Sequence, residues 1–278
     1  MRSPKRLRDE LQFVSEFNAM FDVMQQVAVS QLRRLDERLT QRVPLADVVA
    51  RELFPLLPAA ADDDLLISGG LEGRLLIVMT SDEGLVGPLH SAVIRSAMEK
   101  ADAQTQWILV GQRGRRWLSV QGSVRVMPMP PEDDADRQIH QLAELVLSEF
   151  QRQELRDAWL IAPRFLSTMR QDVMIQQLLP LPILQTPTAQ GPMELVIEPS
   201  LPSLLQQVAS VWVRSVCTEA CWSASRADCA ARALHIEEAR QELAKRARHI
   251  RYEFFKTLHE RLDVMVRETC VVQRHAKR

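Results

Sequence analysis

Glycine is scarce in this chain. The 278 residues include nine Gly, under half the usual frequency of roughly 7%. Tyr occurs once and aromatics make up 5% of residues. An all-β protein needs many Gly-bearing turns, so the shortage argues against one. Charge of one sign is also lacking. Lys and Arg number 35 against 36 Asp and Glu, which leaves no general field for nucleic acid or a membrane surface. Long apolar runs are missing too. The longest uncharged run, Val173 to Met193, carries Pro180, Pro182, Pro187, Pro192 and several Gln. Those residues would break a spanning helix and leave polar groups in lipid. The opening MRSPKRLRDELQ is basic, but no apolar core follows it as a secretory signal requires. The expectation is a soluble protein, peripheral to a membrane at most.

What is present points to helix. Leu, Ala, Arg, Gln and Glu fill the space left by glycine, and all are helix formers. Hydrophobic residues make up 46% of the chain, which excludes disorder. The length allows one large domain or two smaller ones. It buries a core without a disulfide or metal staple. The four cysteines are Cys217, Cys221, Cys229 and Cys270. Cys217 and Cys221 share one helical face, where a metal would need further ligands, and His235 is the candidate nearby. The simpler reading is small apolar residues in a helical interface of a reducing compartment.

Residues 5–40 read as one long helix. Apolar positions recur at Leu11, Val14, Phe17, Phe21, Met24, Ala28, Leu32, Leu35 and Leu39, in steps of three and four that define a coiled-coil seam. Pro44, Pro55, Pro58 and the acidic loop Asp62–Asp64 close the segment. The middle changes character. LLIVMT at 75–80 and WILVG at 107–111 are short apolar runs of the kind buried on both sheet faces. A helix from Pro88 to about Asp102 lies between them. VRVMP reads as a third, edge strand. Residues 134–154 form an amphipathic helix through Ile139, Leu142, Leu145, Val146 and Phe150, and DAWLIAPRF at 157–165 is a further strand. This alternation predicts a mainly parallel α/β domain of roughly 130 residues. Residues 170–195 are Gln- and Pro-rich and lead into a last strand, MELVIE.

After Pro202 neither Gly nor Pro occurs. A second seam runs through Leu243, Ala247, Ile250, Phe254, Leu258, Leu262, Met265 and Thr269. Seventy residues of helix would span about 105 Å, more than a compact domain needs. The expected fold is an α/β insert with a long antiparallel coiled coil. The N- and C-terminal helices form a rod on a Rossmann-like α/β base. The parts are residues 1–58, 59–198 and 199–278.

The chain holds no recognisable catalytic set. Neither phosphate-cradling motif, G-x-x-x-x-G-K-[ST] or G-x-G-x-x-G, occurs. Six His are scattered without a metal-ligand spacing, and no Ser or Cys sits in a nucleophile elbow. TSDEGLVG follows a strand and precedes a helix, where α/β ligand sites lie. Ser81, Asp82 and Glu83 there suit a helix cap or a metal, with the cap favoured. Lys245, Arg246, Arg248, Arg251 and Lys256 are interleaved with acids. They form either a solvated coil face or a surface for a partner's acidic loops.

These residues carry a resemblance to the γ subunit of F-type ATP synthases. VMQQVAVSQLRR at 23–34 resembles the family's A-M-x-M-V-A-A-S-K-L-R-R, and LLIVMTSDEGLVGPLHSAVI at 75–94 its V-x-x-S-D-R-G-L-C-G-x-x-N. VGQRGRRW at 110–117 resembles V-G-x-K-G. IEPS at 197–200 resembles its E-P-S, and CAARALHI at 229–236 its A-A-R-M-x-A-M. Order and spacing agree. Departures are specific. The family's Lys-Ala-Met becomes Asp22-Val23-Met24. Its C-terminal N-K-x-R-Q-x-x-I-T-x-E falls on Phe255 to Met265, where only Lys256 is identical.

The resemblance implies a central-stalk rotor. It is non-catalytic itself and holds no cofactor. It couples proton or sodium flow to ATP synthesis or hydrolysis by turning inside a ring. The implied partners are the α and β subunits of that ring, the ε subunit and the membrane c-ring, with no nucleic acid. The implied place is the cytoplasmic face of a bacterial inner membrane. By motif match, Met24, Gln31, Arg33, Arg34, Lys256, His259 and Asp263 face the ring. Ser81, Asp82, Glu83, Gly84, Leu85 and Gly87 lie near ε or the ion ring. Two alternatives stand beside it. One is a stand-alone α/β enzyme with a coiled-coil dimerisation arm and a pocket near Asp82 and Gly111. The other is a γ-like scaffold that no longer rotates.

Overall fold

A computed structural model of the chain describes residues 3–39, 45–57, 64–118, 124–182 and 200–276. The strand expected at MELVIE and most of IEPS lie outside the described residues. The chain divides into two units, Met1–Ser30 with Ala233–Arg278, and Gln31–Arg232.

Helix α1 (Pro4–Leu39) and helix α6 (Leu201–Ala276) run without interruption and contribute to both units. Between them come α2 (Leu45–Val48), which continues through a π turn and a 3-10 turn to Leu56, and α3 (Leu65–Ser68). The sheet elements follow: β1 (Glu72–Met79), α4 (Leu89–Lys100), β2 (Thr105–Val110), a 3-10 turn (Arg113–Arg116), β3 (Val124–Met127), α5 (Ala135–Arg152), β4 (Leu155–Ser167) and β5 (Arg170–Leu179).

In the unit Gln31–Arg232 the sheet order is β3-β2-β1-β4-β5. The first three pairings are parallel, and β4 pairs β5 antiparallel. Alternation along β1 sorts its side chains between two layers. Leu75, Ile77 and Met79 point to the core shared with Ile139, Val146 and Phe150 of α5 and with Val213 and Cys217 of α6. Leu76 and Val78 point to Val93, Ile94 and Ala97 of α4. A strand covered on both faces must be apolar throughout, which is why LLIVM reads as an unbroken run. β3 takes the edge, as expected.

β5 was not legible as a strand. Its sequence RQDVMIQQLL is half polar, because an outer antiparallel strand covers little core. Its residues are exposed or half-buried until Leu178 and Leu179, which are fully buried. Trp212 of α6 donates its Nε1–H to the Leu178 carbonyl at 3.0 Å and stacks edge-on against Phe54, 5.0 Å between ring centres.

Cys217, Cys221 and Cys229 are buried in this same core. Burial pushes the thiols of Cys217 and Cys221 up to about 12, so they pack as small apolar residues. Among the described residues no group of three or more His, Cys, Asp or Glu is placed to hold a metal ion.

In the other unit α1 and α6 run antiparallel. Leu7 and Val14 pack on Ile250, with Leu11, Leu243, Ala247 and Phe254 around them. Arg240 bonds Asp22 at 2.5 Å and Gln25 at 2.6 Å. The expected seam needs two corrections. Phe17 is exposed, and the apolar positions past Phe254, including Leu258, Leu262, Met265 and Thr269, are exposed as well. The helix continues there, but no side chain among the described residues covers that face.

Candidate coupling joint

The loop after β1 is built from its backbone outward. Gly111, at the end of β2, has φ +90°, and a Cβ there would lie 2.7 Å from the Ser81 amide nitrogen. Glycine is therefore required where the loops after β1 and β2 cross. The Thr80 hydroxyl donates to this crossing, lying 3.1 Å from the Val110 carbonyl and 3.0 Å from that of Gly111. It accepts from the Gly114 amide at 3.2 Å.

Asp82 is the clasp. Its Oδ1 accepts the Gln112 amide at 2.7 Å and its Oδ2 the Met129 amide at 2.8 Å. Its carbonyl accepts from Arg113 Nε at 3.3 Å. One carboxylate thus ties together the segments that leave β1, β2 and β3. Helix α4 begins after Pro88 without a side-chain cap, so the expected helix cap gives way to this clasp. These bonds cross the carboxyl ends of the strands, where the enzyme alternative placed its pocket. A cavity of about 500 Å³ lies elsewhere, lined by Leu39, Asp136, Trp222 and Arg226 among others.

The rest of the loop reaches α6. Glu83 pairs with Arg232 at 2.5 Å, and Arg232 Nε donates to the Gly84 carbonyl at 3.2 Å. Arg232 Nη1 also approaches Gln31 Oε1 of α1 at 3.5 Å. Arg232 is 8% exposed, so these partners replace the water it loses. Leu85 then turns with φ +65° and is 41% exposed. A non-glycine residue held in the left-handed region costs about 1–2 kcal/mol. Val86 and Leu89 pack on Ala227 and Ala231 of α6.

One turn back on α6, Asp228 faces His90 of α4. His90 Nε2 and Asp228 Oδ1 are 3.4 Å apart, and each residue is 4% exposed. Neither atom has a hydrogen-bond partner.

The structure therefore joins Gln31 to Glu83 and Gly84 through Arg232, although the two sets were assigned to different partners. Arg33 and Arg34 are exposed on α1. In the other unit Met24 is half-buried, and Lys256, His259 and Asp263 are exposed on α6. His259 Nδ1 lies 2.8 Å from the Phe255 carbonyl of its own helix. Ser81 is buried and donates to the Glu83 carbonyl at 2.8 Å, and Gly87 takes φ +58°. Arg232, Asp228 and His90 were missed as site residues. The signal was present, since CAAR ends on Arg232 and the asparagine of G-x-x-N falls on His90.

An unbroken helix at each end of the described chain, with a five-stranded mixed sheet formed by the segment between them, defines a helix-flanked α/β class of protein. A sequence model of the ATP synthase family matches residues 3–257, and the chain belongs to that family. It is 25% identical over 233 residues to the ATP synthase gamma chain of Erythrobacter litoralis, covering 77% of this chain and 79% of that one. It is 22% identical to the gamma chain of Stenotrophomonas maltophilia, over 86% and 87% of the two chains. Among solved structures, a chain of the Euglena gracilis mitochondrial ATP synthase (OSCP/F1/c-ring) superposes with a TM-score of 0.70. That pair shares 16% identity over 97% of this chain and 93% of the other.

Proposed function

We propose that the chain is the central-stalk γ subunit of a rotary ATP synthase. It turns inside a ring of alternating α and β subunits and passes torque between that ring and a membrane c-ring. The observation that carries this reading is the family match through residue 257, which takes in α1, the sheet and most of α6. Catalysis belongs to the ring, as for a non-catalytic subunit of a proton- or sodium-transporting two-sector ATPase. The base, residues 59–198 and Rossmann-like in kind, meets the ε subunit and the c-ring at the cytoplasmic face of a bacterial inner membrane. No helix among the described residues is long and apolar enough to cross a membrane, so the contact is peripheral.

The physical requirements fit these residues. A shaft under torsion needs continuous helix, and α6 contains neither Gly nor an internal Pro after its first turn. Two unlike strands present unlike faces, so rotation changes what each catalytic site meets. Met24, Gln31, Arg33 and Arg34 on α1, with Lys256, His259 and Asp263 on α6, are the proposed ring contacts. The exposed apolar positions Leu258, Leu262 and Met265 suit a tip that slides inside a sleeve rather than anchoring. The test is affinity purification of the tagged chain from its native membrane, followed by ATP-driven ion pumping in inverted vesicles. Recovery of a three-plus-three nucleotide-binding ring and a c-ring is expected. A monomer without these partners would refute the assignment.

A further inference from the structure

We propose that His90 and Asp228 form a buried positioning pair that fixes the rotation of α6 about its own axis against the sheet. The proposal rests on the rotor reading. The contact between α6 and the segment after β1 is otherwise smooth, with Ala227 and Ala231 against Val86 and Leu89. Apolar contacts between small side chains are non-directional and resist twisting weakly. Polar pairs weaken as their separation grows, so they resist it.

Two such pairs sit one turn apart on α6. Arg232 is held by Glu83 and Gly84 in the loop, and Asp228 faces His90 on the first turn of α4. Both partners belong to the stretch directly following β1, the middle strand of the sheet. A load on this stretch therefore reaches α6 at two points one turn apart, besides the bonds that Trp212 and Ser223 of α6 make to β5 and β4. The two pairs differ in environment. The Glu83 side chain is 62% exposed, so water weakens that pair. The side chains of His90 and Asp228 are each 6% exposed. Nε2 and Oδ1 make no hydrogen bond, to each other or elsewhere, so what holds them is the attraction of two polar groups across 3.4 Å of dry interior. Slippage of α6 that lengthens this separation weakens the attraction with no water to replace it, which makes this pair the stiffer of the two. His90 touches no nucleotide and acts only through α6.

The test uses the intact complex carrying variants of this chain, with ion pumping and ATP hydrolysis measured in the same inverted vesicles. His90→Leu is expected to lower the ions pumped per ATP hydrolysed at least threefold, and Asp228→Leu to match it. His90→Asn, which retains a donor, should recover more than half of the wild-type ratio. The double variant His90→Leu/Asp228→Leu should stay low, since an apolar contact restores packing but not the attraction. A merely structural role would alter assembly and leave the ratio unchanged. Wild-type coupling in His90→Leu, or full recovery in the double apolar variant, would overturn the proposal. If His90→Leu fails to assemble, His90→Asn decides: a ratio as low as that of a known uncoupled complex overturns it. Failure of the wild-type chain to enter any complex would instead refute the rotor reading.

Discussion

Replacing Asp82 by Ala tests the clasp directly. The side chain accepts two backbone N–H groups, at 2.7 Å from Gln112 and 2.8 Å from Met129. A hydrogen bond to a charged group contributes about 1.5–3 kcal/mol when well buried. Asp82 is exposed, so water takes up part of each donor in the variant, and about 1 kcal/mol per bond is the reasonable figure. Asp82→Ala should therefore cost about 2 kcal/mol, which lowers the melting temperature by about 4–8 °C for a unit of this size. Asp82→Asn keeps one acceptor oxygen and should lose about half as much. The assay is thermal unfolding followed by circular dichroism, with hydrogen exchange at the Gln112 and Met129 amides. Both amides should exchange faster in Asp82→Ala, and one of them in Asp82→Asn. Unchanged melting and unchanged exchange would refute the clasp. Greater damage from Asn than from Ala would refute the acceptor count.

Gly111→Ala forces a Cβ to within 2.7 Å of the Ser81 backbone at φ +90° and should cost about 2–4 kcal/mol by the same melt. Gly84→Ala, whose Cβ meets only the Arg113 guanidinium at 3.5 Å, should cost far less. Asp22→Lys sets a second cation beside Arg240 and should destabilise the helix pair by about 1 kcal/mol, since both side chains are partly exposed. Adding Arg240→Glu should recover it, and a stopped-flow unfolding rate that ignores both changes would contradict the pairing. Burial works against the charged form of Asp157, but the hydrogen bonds and charge of Arg74, at 2.6 and 2.7 Å, outweigh it and hold the carboxyl below its ordinary range. Stability from this pair is complete above about pH 4 and is lost as pH falls through the lowered folded value. Asp157→Asn should flatten the acid limb of a stability–pH curve, and an unaltered limb would exclude the effect.

Local pattern carried much of the fold. Helices α1 and α6 were legible because their apolar steps of three and four continue without Gly or Pro. β1 and β2 were legible because strands covered on both faces must be apolar throughout. β5 escaped, since an outer strand that is half polar and rich in Gln resembles a loop. The seam past Phe254 looked covered because periodicity records which face is apolar and carries no information about what meets it. Arg33, Arg34 and the loop residues came from motif order, whereas Asp228 stands one residue before a motif, and His90, inside one, replaces the family's asparagine and drew no notice.

Asp22 shows the division most clearly. From sequence it is a charge reversal in a family pattern, and nothing nearby explains it. In the fold Arg240, from the far end of the chain, bonds it directly. The sequence by itself determined where helix and strand must form, because propensity and periodicity act over a few residues. It also determined that these helices would be free of hinges. Only the tertiary structure decided which groups meet: Asp82 with three strand ends, Arg232 with Glu83 and Gln31, and His90 with Asp228. Such pairs are chosen by distance and desolvation between residues up to about two hundred positions apart, and no local pattern encodes them.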